Sequence, residues 1–215
     1  MSSTNRGTPR EKDDRYETPA WCVHRLLERW HPAPGQWVEP AMGSGNIVAA
    51  VEDVFGHRVS WVGFDLNNGP SSSTVSRYQG DFLEESWRGY HTSRVPSLET
   101  VTVVTNPPYN KAEAFVRACR KVYPNADMAF LLRLGFLASD DRLALYTDIG
   151  APDVYVLPNR PSFTGGGTDS ADYGWFVWPR RVRRTEGRLV VLDGTPKEIR
   201  CPRQPRETKR QSSVE

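Results

Sequence analysis

Apolar positions first recur at helical spacing just after Thr18 and Pro19, where Val23, Leu26, Leu27 and Trp30 fall on one face. Thr18 is placed to cap this helix and Pro19 to occupy its first turn, while Pro32, Pro34 and Gly35 end it. Residues 36–39 read as a short strand, 40–46 as a loop and 47–55 as a helix. Strands are predicted at 59–66 and 78–83. The continuous β-branched run Val101–Thr105 suits a strand buried on both faces. Residues 111–123 form a helical pattern with Phe115, Val116, Cys119 and Val122 on one side. A strand at 128–134, a helix at 139–146, and strands at 154–157 and Tyr173–Trp178 complete the series. Strands alternating with helices predict a mainly parallel sheet covered on both faces. The last two strands have no helix between them and are expected to pair antiparallel at one edge.

The 215 residues suffice for one domain with a substantial core, to which seven Trp and eight Phe contribute. A single domain is expected at 16–200, between a polar tail at 1–15 and a basic tail at 201–215, both expected to be disordered. No apolar run is long enough to span a membrane, and the polar start lacks the apolar centre of a signal peptide. The three cysteines are scattered without a CxxC pair and the four histidines are isolated, so neither a disulfide framework nor a metal site is expected. This usage points to a reducing cytoplasm. The net charge of +2 hides an uneven distribution, with eleven Lys or Arg against four Asp or Glu between Arg180 and Arg210. Such a surplus can contact phosphates, and Arg180, Arg181, Arg183 and Arg184 are expected to do so; a solvated tail would read the same way.

Three segments carry candidate chemistry. In Glu39-Pro40-Ala41-Met42-Gly43-Ser44-Gly45-Asn46, set between a strand and a helix, the glycines let the chain turn sharply and bring its backbone close to a ligand. The loop is not GxGxxG and lacks the lysine of a P-loop, which argues against a dinucleotide or nucleoside triphosphate. Asp65 ends the next strand, about 20 residues beyond the glycines, where a carboxylate can accept both hydrogen bonds of a ribose diol. Asp81 follows the next strand and can accept from an adenine amino group. The most specific segment is Asn106-Pro107-Pro108-Tyr109, directly after the buried β-branched strand. Its prolines have fixed φ and no N–H, so the loop offers rigid carbonyl acceptors. The Asn106 amide oxygen and the Pro107 carbonyl can each accept one hydrogen of a planar –NH2 group. That draws the nitrogen toward tetrahedral geometry and frees its lone pair for attack. Tyr109 supplies an aromatic face for the target ring.

Tyr16-Glu17-Thr18-Pro19, Glu39 to Gly45, Asp65, Asp81 and Asn106-Pro107-Pro108-Tyr109 together resemble the amino-methyltransferases, above all the DNA adenine-N6 methyltransferases, over residues 16–178. The resemblance implies an α/β class I methyltransferase fold, a Rossmann-like sheet of seven mostly parallel strands with an antiparallel edge hairpin. It implies S-adenosyl-L-methionine as cofactor and N6 of a flipped adenine in duplex DNA as methyl acceptor. Tyr16, Thr18, Pro19, Glu39, Ala41, Gly43 and Gly45 would hold the methionine end of the cofactor, with Asn106 also at the cofactor. Asp65 would hold the ribose and Asp81 the adenine. Asn106, Pro107 and Tyr109 would be catalytic, and Pro108 and Tyr109 would hold the target base. Phe163 opens a glycine-rich loop and is expected to supply a second stacking face, with Arg160 also expected to bind the substrate; packing of Phe163 in the core is the alternative. The segment order matches the gamma arrangement, and the resemblance extends to phage-encoded members of similar size.

Only about 35 residues follow Trp178, little for the target-recognition region such enzymes usually carry. Residues 160–172 with the basic stretch could form a compact reader. An RNA base remains an open substrate. The glutamine methylases that share the NPPY element bring a separate helical domain for which there is no room, and the cytosine-N4 enzymes tend to have Ser in place of Asn106. A catalytically silent nucleic-acid-binding module on the same scaffold is the reading from another class.

Overall fold

The computed structural model describes residues 17–69, 72, 74–84, 101–163, 169–180 and 184–200. The two expected tails and Tyr16 lie outside the described residues, as do Gly165–Gly167, Arg181 and Arg183. Eight strands form one sheet: β1 (Gly35–Glu39), β2 (Val59–Asp65), β3 (Val75–Gln79), β4 (Val101–Thr105), β5 (Asp127–Arg133), β6 (Asp153–Val156), β7 (Tyr173–Trp178) and β8 (Leu189–Val191). The helices are α1 (Ala20–Leu27), α2 (Asn46–Phe55), α3 (Ala112–Val122), α4 (Leu143–Ile149) and the short α5 (Lys197–Arg200). None of the described helices is long and apolar enough to cross a membrane.

The spatial order is β3-β2-β1-β4-β5-β7-β6-β8. β7 runs antiparallel to β5 and to β6, and all other pairings are parallel. The expected β6–β7 antiparallel pair is present, but β7 is inserted between β5 and β6. The pair does not form the edge of the sheet, because the basic stretch contributes β8 beyond β6. Three exposed or half-exposed residues, Leu189, Val190 and Val191, supply that extra strand, too few for periodicity to mark. The strand expected at 78–83 forms instead at Val75–Gln79, held by its register with β2, so that Asp81 falls in the turn after it.

Alternation along the strands divides the core between the two faces. On β5, Ala129 and Leu131 join the cluster under α1 and α2, while Met128, Phe130 and Leu132 join the one under α3 and α4. On β7, Tyr173, Trp175 and Val177 face the first cluster, and Phe176 and Trp178 the second. All five β4 residues are buried, as expected of a strand covered on both faces. The two buried β7 indoles satisfy their N–H groups: Trp175 Nε1 donates to Cys22 O and Trp178 Nε1 to Gly150 O, each at 2.9 Å.

Candidate active site

The order β2-β1-β4-β5 reverses direction between β1 and β4. At such a switch point the two adjacent strands send their following loops to opposite faces, and a crevice opens outside their carboxyl ends. The loops found there are the two most informative segments, Glu39 to Asn46 after β1 and Asn106 to Tyr109 after β4.

Local backbone demands explain the first loop. Gly43 (φ 55°) and Gly45 (φ 89°) lie in the left-handed region, and Gly45 caps α2 in that conformation. The loop is tied to β2 by Met42 N–H donating to Phe64 O (2.7 Å) and Gly43 N–H donating to Asp65 Oδ2 (2.7 Å). Asp65 Oδ1 accepts a second backbone hydrogen, from Asn67 N–H at 2.8 Å. From β3, Arg77 donates Nη2 to Gly43 O at 2.7 Å. Asp65 is therefore a brace of the glycine loop as well as the expected ribose acceptor. A carboxylate has about four lone-pair sites, so two remain for a ligand. Arg77 was not anticipated, since an arginine in mid-strand gives no sign of the carbonyl it reaches.

A cleft beside this loop is lined by Glu17, Thr18, Glu39, Ala41, Gly43 and Asn106, with Met42, Ser44, Asn46 and Ile47 completing its wall. Of the residues expected at the methionine end of the cofactor, it gathers Thr18, Glu39, Ala41 and Gly43 around the amide expected at the acceptor nitrogen, while Gly45 is not part of its lining. Pro19 lies one residue away as the half-buried start of α1. Glu39 is only 2% exposed, and its Oε2 has no hydrogen-bond partner among the described residues. Burial, reinforced by the negative charge of Asp65 and opposed by Arg77, pushes its carboxyl well above the usual range. A buried acceptor with an open valence beside a glycine cradle fits a ligand cation such as an ammonium group.

Thr18 does not cap α1. Its Oγ1 accepts a hydrogen bond from Asn106 Nδ2 at 3.0 Å, and the first turn is closed by Cys22 N–H donating to Pro19 O. The bond turns the Asn106 amide so that its nitrogen is engaged by Thr18 and its oxygen is on the opposite side. Pro107 is buried, and Pro108 and Tyr109 are half-buried. Pro108 O accepts from Lys111 N–H (2.9 Å), closing the short turn that sets Tyr109. Asp81 accepts from Leu83 N–H (2.9 Å) and lies 3.7 Å from Lys111 Nζ, which links the expected adenine subsite to the same turn.

Tyr109 packs among Tyr173 (ring centroids 5.6 Å apart) and Arg133, whose guanidinium carbon lies 4.9 Å from its ring centre. Burial first, then the neighbouring Tyr173, raises the Tyr109 phenol above its ordinary value against the Arg133 charge, so it stays protonated at neutral pH. Phe163 is 8% exposed and meets Tyr173 edge-on at 5.1 Å. It packs on Tyr173, which in turn contacts Tyr109, an arrangement compatible with the packing alternative. Arg160 is exposed in the loop between β6 and β7 and pairs with Asp172 at 2.8 Å.

The basic stretch is placed differently from the expectation. Because β7 runs antiparallel, it carries the chain away from the site. Arg180 N–H donates to Asp127 Oδ1 at the amino end of β5, and the Arg180 guanidinium lies 3.9 Å from the same carboxylate. Arg184 and Arg188 converge on Asp153, a carboxylate 3% exposed at the amino end of β6. Burial alone would raise the Asp153 carboxyl, but bonds and charge from Arg188 and Arg184 outweigh it and hold it low. A seven-residue β5 separates the two ends of the sheet by about 20 Å. Arg180 and Arg184 therefore brace the end of the sheet away from Asn106.

No family model and no curated protein matches the chain. Its fold does match solved structures. A type I restriction-modification methyltransferase subunit from Streptococcus thermophilus superposes with a TM-score of 0.64 at 16% identity, over 88% of this chain and 52% of that one. A putative class I S-adenosylmethionine-dependent methyltransferase from Listeria monocytogenes gives 0.60 at 12% identity, over 91% and 70%. A 23S rRNA methyltransferase, ErmE, gives 0.53 at 15% identity, over 80% and 71%. The chain spans about half the length of the Streptococcus subunit. Together with the sheet topology, these likenesses establish the class I methyltransferase fold.

Proposed function

We propose that this chain transfers a methyl group from S-adenosyl-L-methionine to N6 of an adenine turned out of a DNA duplex. The observation that carries the reading is the Thr18-anchored Asn106 amide facing the same cleft as the glycine loop and the buried Glu39. The residues present fit the cofactor. Glu39 and Glu17 would offer carboxylates to its ammonium, Gly43 and Gly45 would admit its chain, Asp65 keeps acceptor capacity for its ribose, and Asp81 would accept from its adenine amino group. When bound, the cofactor supplies a methyl group already activated on a sulfonium, so no strong base is required.

The chain's own work is to prepare the acceptor. The Asn106 oxygen and the Pro107 carbonyl each take one hydrogen of the target amino group. Charge developing on that nitrogen is thereby met by dipoles already in place, the kind of preorganised stabilisation that lowers a barrier most. Tyr109, and Pro108 beside it, hold the ring of a base that must leave the stack to reach N6. The type I restriction-modification subunits among the structural likenesses support DNA as the substrate class.

RNA is the second reading, favoured by the likeness to the 23S rRNA methyltransferase. Transfer of tritiated methyl to DNA, RNA and protein, followed by nucleoside analysis, separates the readings. Labelled N6-methyladenine from DNA is expected. Label recovered only from RNA replaces the first reading with the second, and cofactor binding without any transfer leaves a silent binding module.

A further inference from the structure

Arg133 ends β5, the strand beside β4, and so emerges at the same end of the sheet as Asn106 and Tyr109. It breaks an apolar run on a face otherwise occupied by Ala129 and Leu131. The strand register pairs it with Tyr173. Its Nε donates to Tyr173 Oη at 3.2 Å, Tyr173 Oη donates to Asp169 Oδ2 at 2.8 Å, and Arg133 Nη2 lies 4.0 Å from that same carboxylate oxygen. The guanidinium, held in this way, lies over the Tyr109 ring. A leucine would bury more apolar surface here and could not be steered by hydrogen bonds. A planar cation anchored through Nε fixes both the place and the tilt of the ring it covers.

We propose that Arg133 is a positioning residue for methyl transfer: clamped by Tyr173 and Asp169, it sets the plane of the Tyr109 ring that receives the target base. The inference rests on the reading of Tyr109 as the base-stacking residue. Tyr109 is seated by one short turn and by the tilted contact with Tyr173, and the guanidinium covers the face of its ring. A misaligned stack displaces the target amino group from the Asn106 oxygen, and small displacements of a reacting atom are costly in rate.

The test compares the full-length wild type with Arg133→Ala, Arg133→Lys and Tyr173→Phe. Each is assayed for kcat and KM on unmethylated plasmid DNA, or on ribosomal RNA if that is what the wild type labels. Rates are normalised to the stoichiometry of S-adenosyl-homocysteine binding, which discounts misfolded protein. A 3-fluorotyrosine at position 109 reports the ring by fluorine NMR. Arg133→Ala is expected to lose on the order of tenfold or more in normalised kcat, with cofactor affinity within about twofold of wild type and a shifted or broadened fluorine signal. Arg133→Lys, which keeps the charge but not the planar fork, should recover only part of the rate. Tyr173→Phe, which keeps the core packing, should lose severalfold and serves if Arg133→Ala does not fold. A normalised kcat within about twofold of wild type in both Arg133→Ala and Tyr173→Phe overturns the proposal, as does a loss explained entirely by reduced binding stoichiometry. Failure of the wild type to label any nucleic acid is a different result: it removes the functional reading, and the positioning role with it.

Discussion

Replacing Glu39 by glutamine should make the protein more stable and a poorer binder of its cofactor. The carboxyl is almost fully buried, with one oxygen lacking a partner among the described residues and Asp65 adding repulsion. Its folded pKa therefore lies above the unfolded value of about 4.3. Between the two, the folded chain keeps a proton that the unfolded chain has released. Stability is thus greatest below the unfolded pKa and falls as pH rises toward the folded one. Glutamine has the same size and cannot ionise, so it escapes that loss. A buried polar group without a partner costs about 1–3 kcal/mol, and more when charged. In a domain of this size each kcal/mol moves Tm by about 2–4 °C. Melting curves should therefore show Glu39→Gln ahead by several degrees at pH 7.5, with the gap closing toward pH 4. Calorimetry at pH 7.5 should show the reverse for ligand affinity. A charge-assisted hydrogen bond to the cofactor's ammonium is worth about 1.5–3 kcal/mol, so Kd should rise by roughly ten- to a hundredfold. A variant that is less stable at every pH would mean that the native carboxylate is already satisfied, and an unchanged Kd would mean that Glu39 faces no cofactor charge.

Asn106→Ala should reduce kcat by about 10²–10³ while leaving cofactor affinity near that of the wild type; Thr18→Val, which removes only the acceptor that orients the amide, should cost on the order of tenfold, near the value of one neutral hydrogen bond. Near-normal turnover of either variant in the tritium assay would refute its role. Phe163→Ala should lower stability by about 3–5 kcal/mol, as loss of a core aromatic does, and slow methylation equally on a duplex and on a substrate with a mispaired target adenine. A loss confined to the duplex would instead place Phe163 against the flipped base. Arg184→Ala with Arg188→Ala should strip the partners from buried Asp153 and lower Tm, while the salt dependence of DNA affinity stays unchanged. A flatter salt slope, by about 0.9 per lost phosphate contact, would return these arginines to the nucleic-acid interface.

The sequence by itself determined those features whose causes are local. Gly43 and Gly45 stand where the backbone needs positive φ, the Pro107–Pro108 pair stiffens the turn that presents Asn106, and the unbroken apolar run of β4 marks a strand covered on both sides. Each signal lies within a few residues of the structure it produces, so strand, loop and helix could be read in order. Tertiary structure decided what those residues touch. Thr18 looked like a helix cap and instead holds an amide 88 positions away. Arg77 and Arg133 gave no local sign of the Gly43 carbonyl or the Tyr109 ring they secure. The basic stretch, legible as charge, took its meaning from the antiparallel course of β7, which delivers Arg180 and Arg184 to the end of the sheet away from the site. Composition and periodicity reflect backbone needs and burial along the chain, whereas side-chain partners depend on strand order and direction, which arise only when distant segments pack.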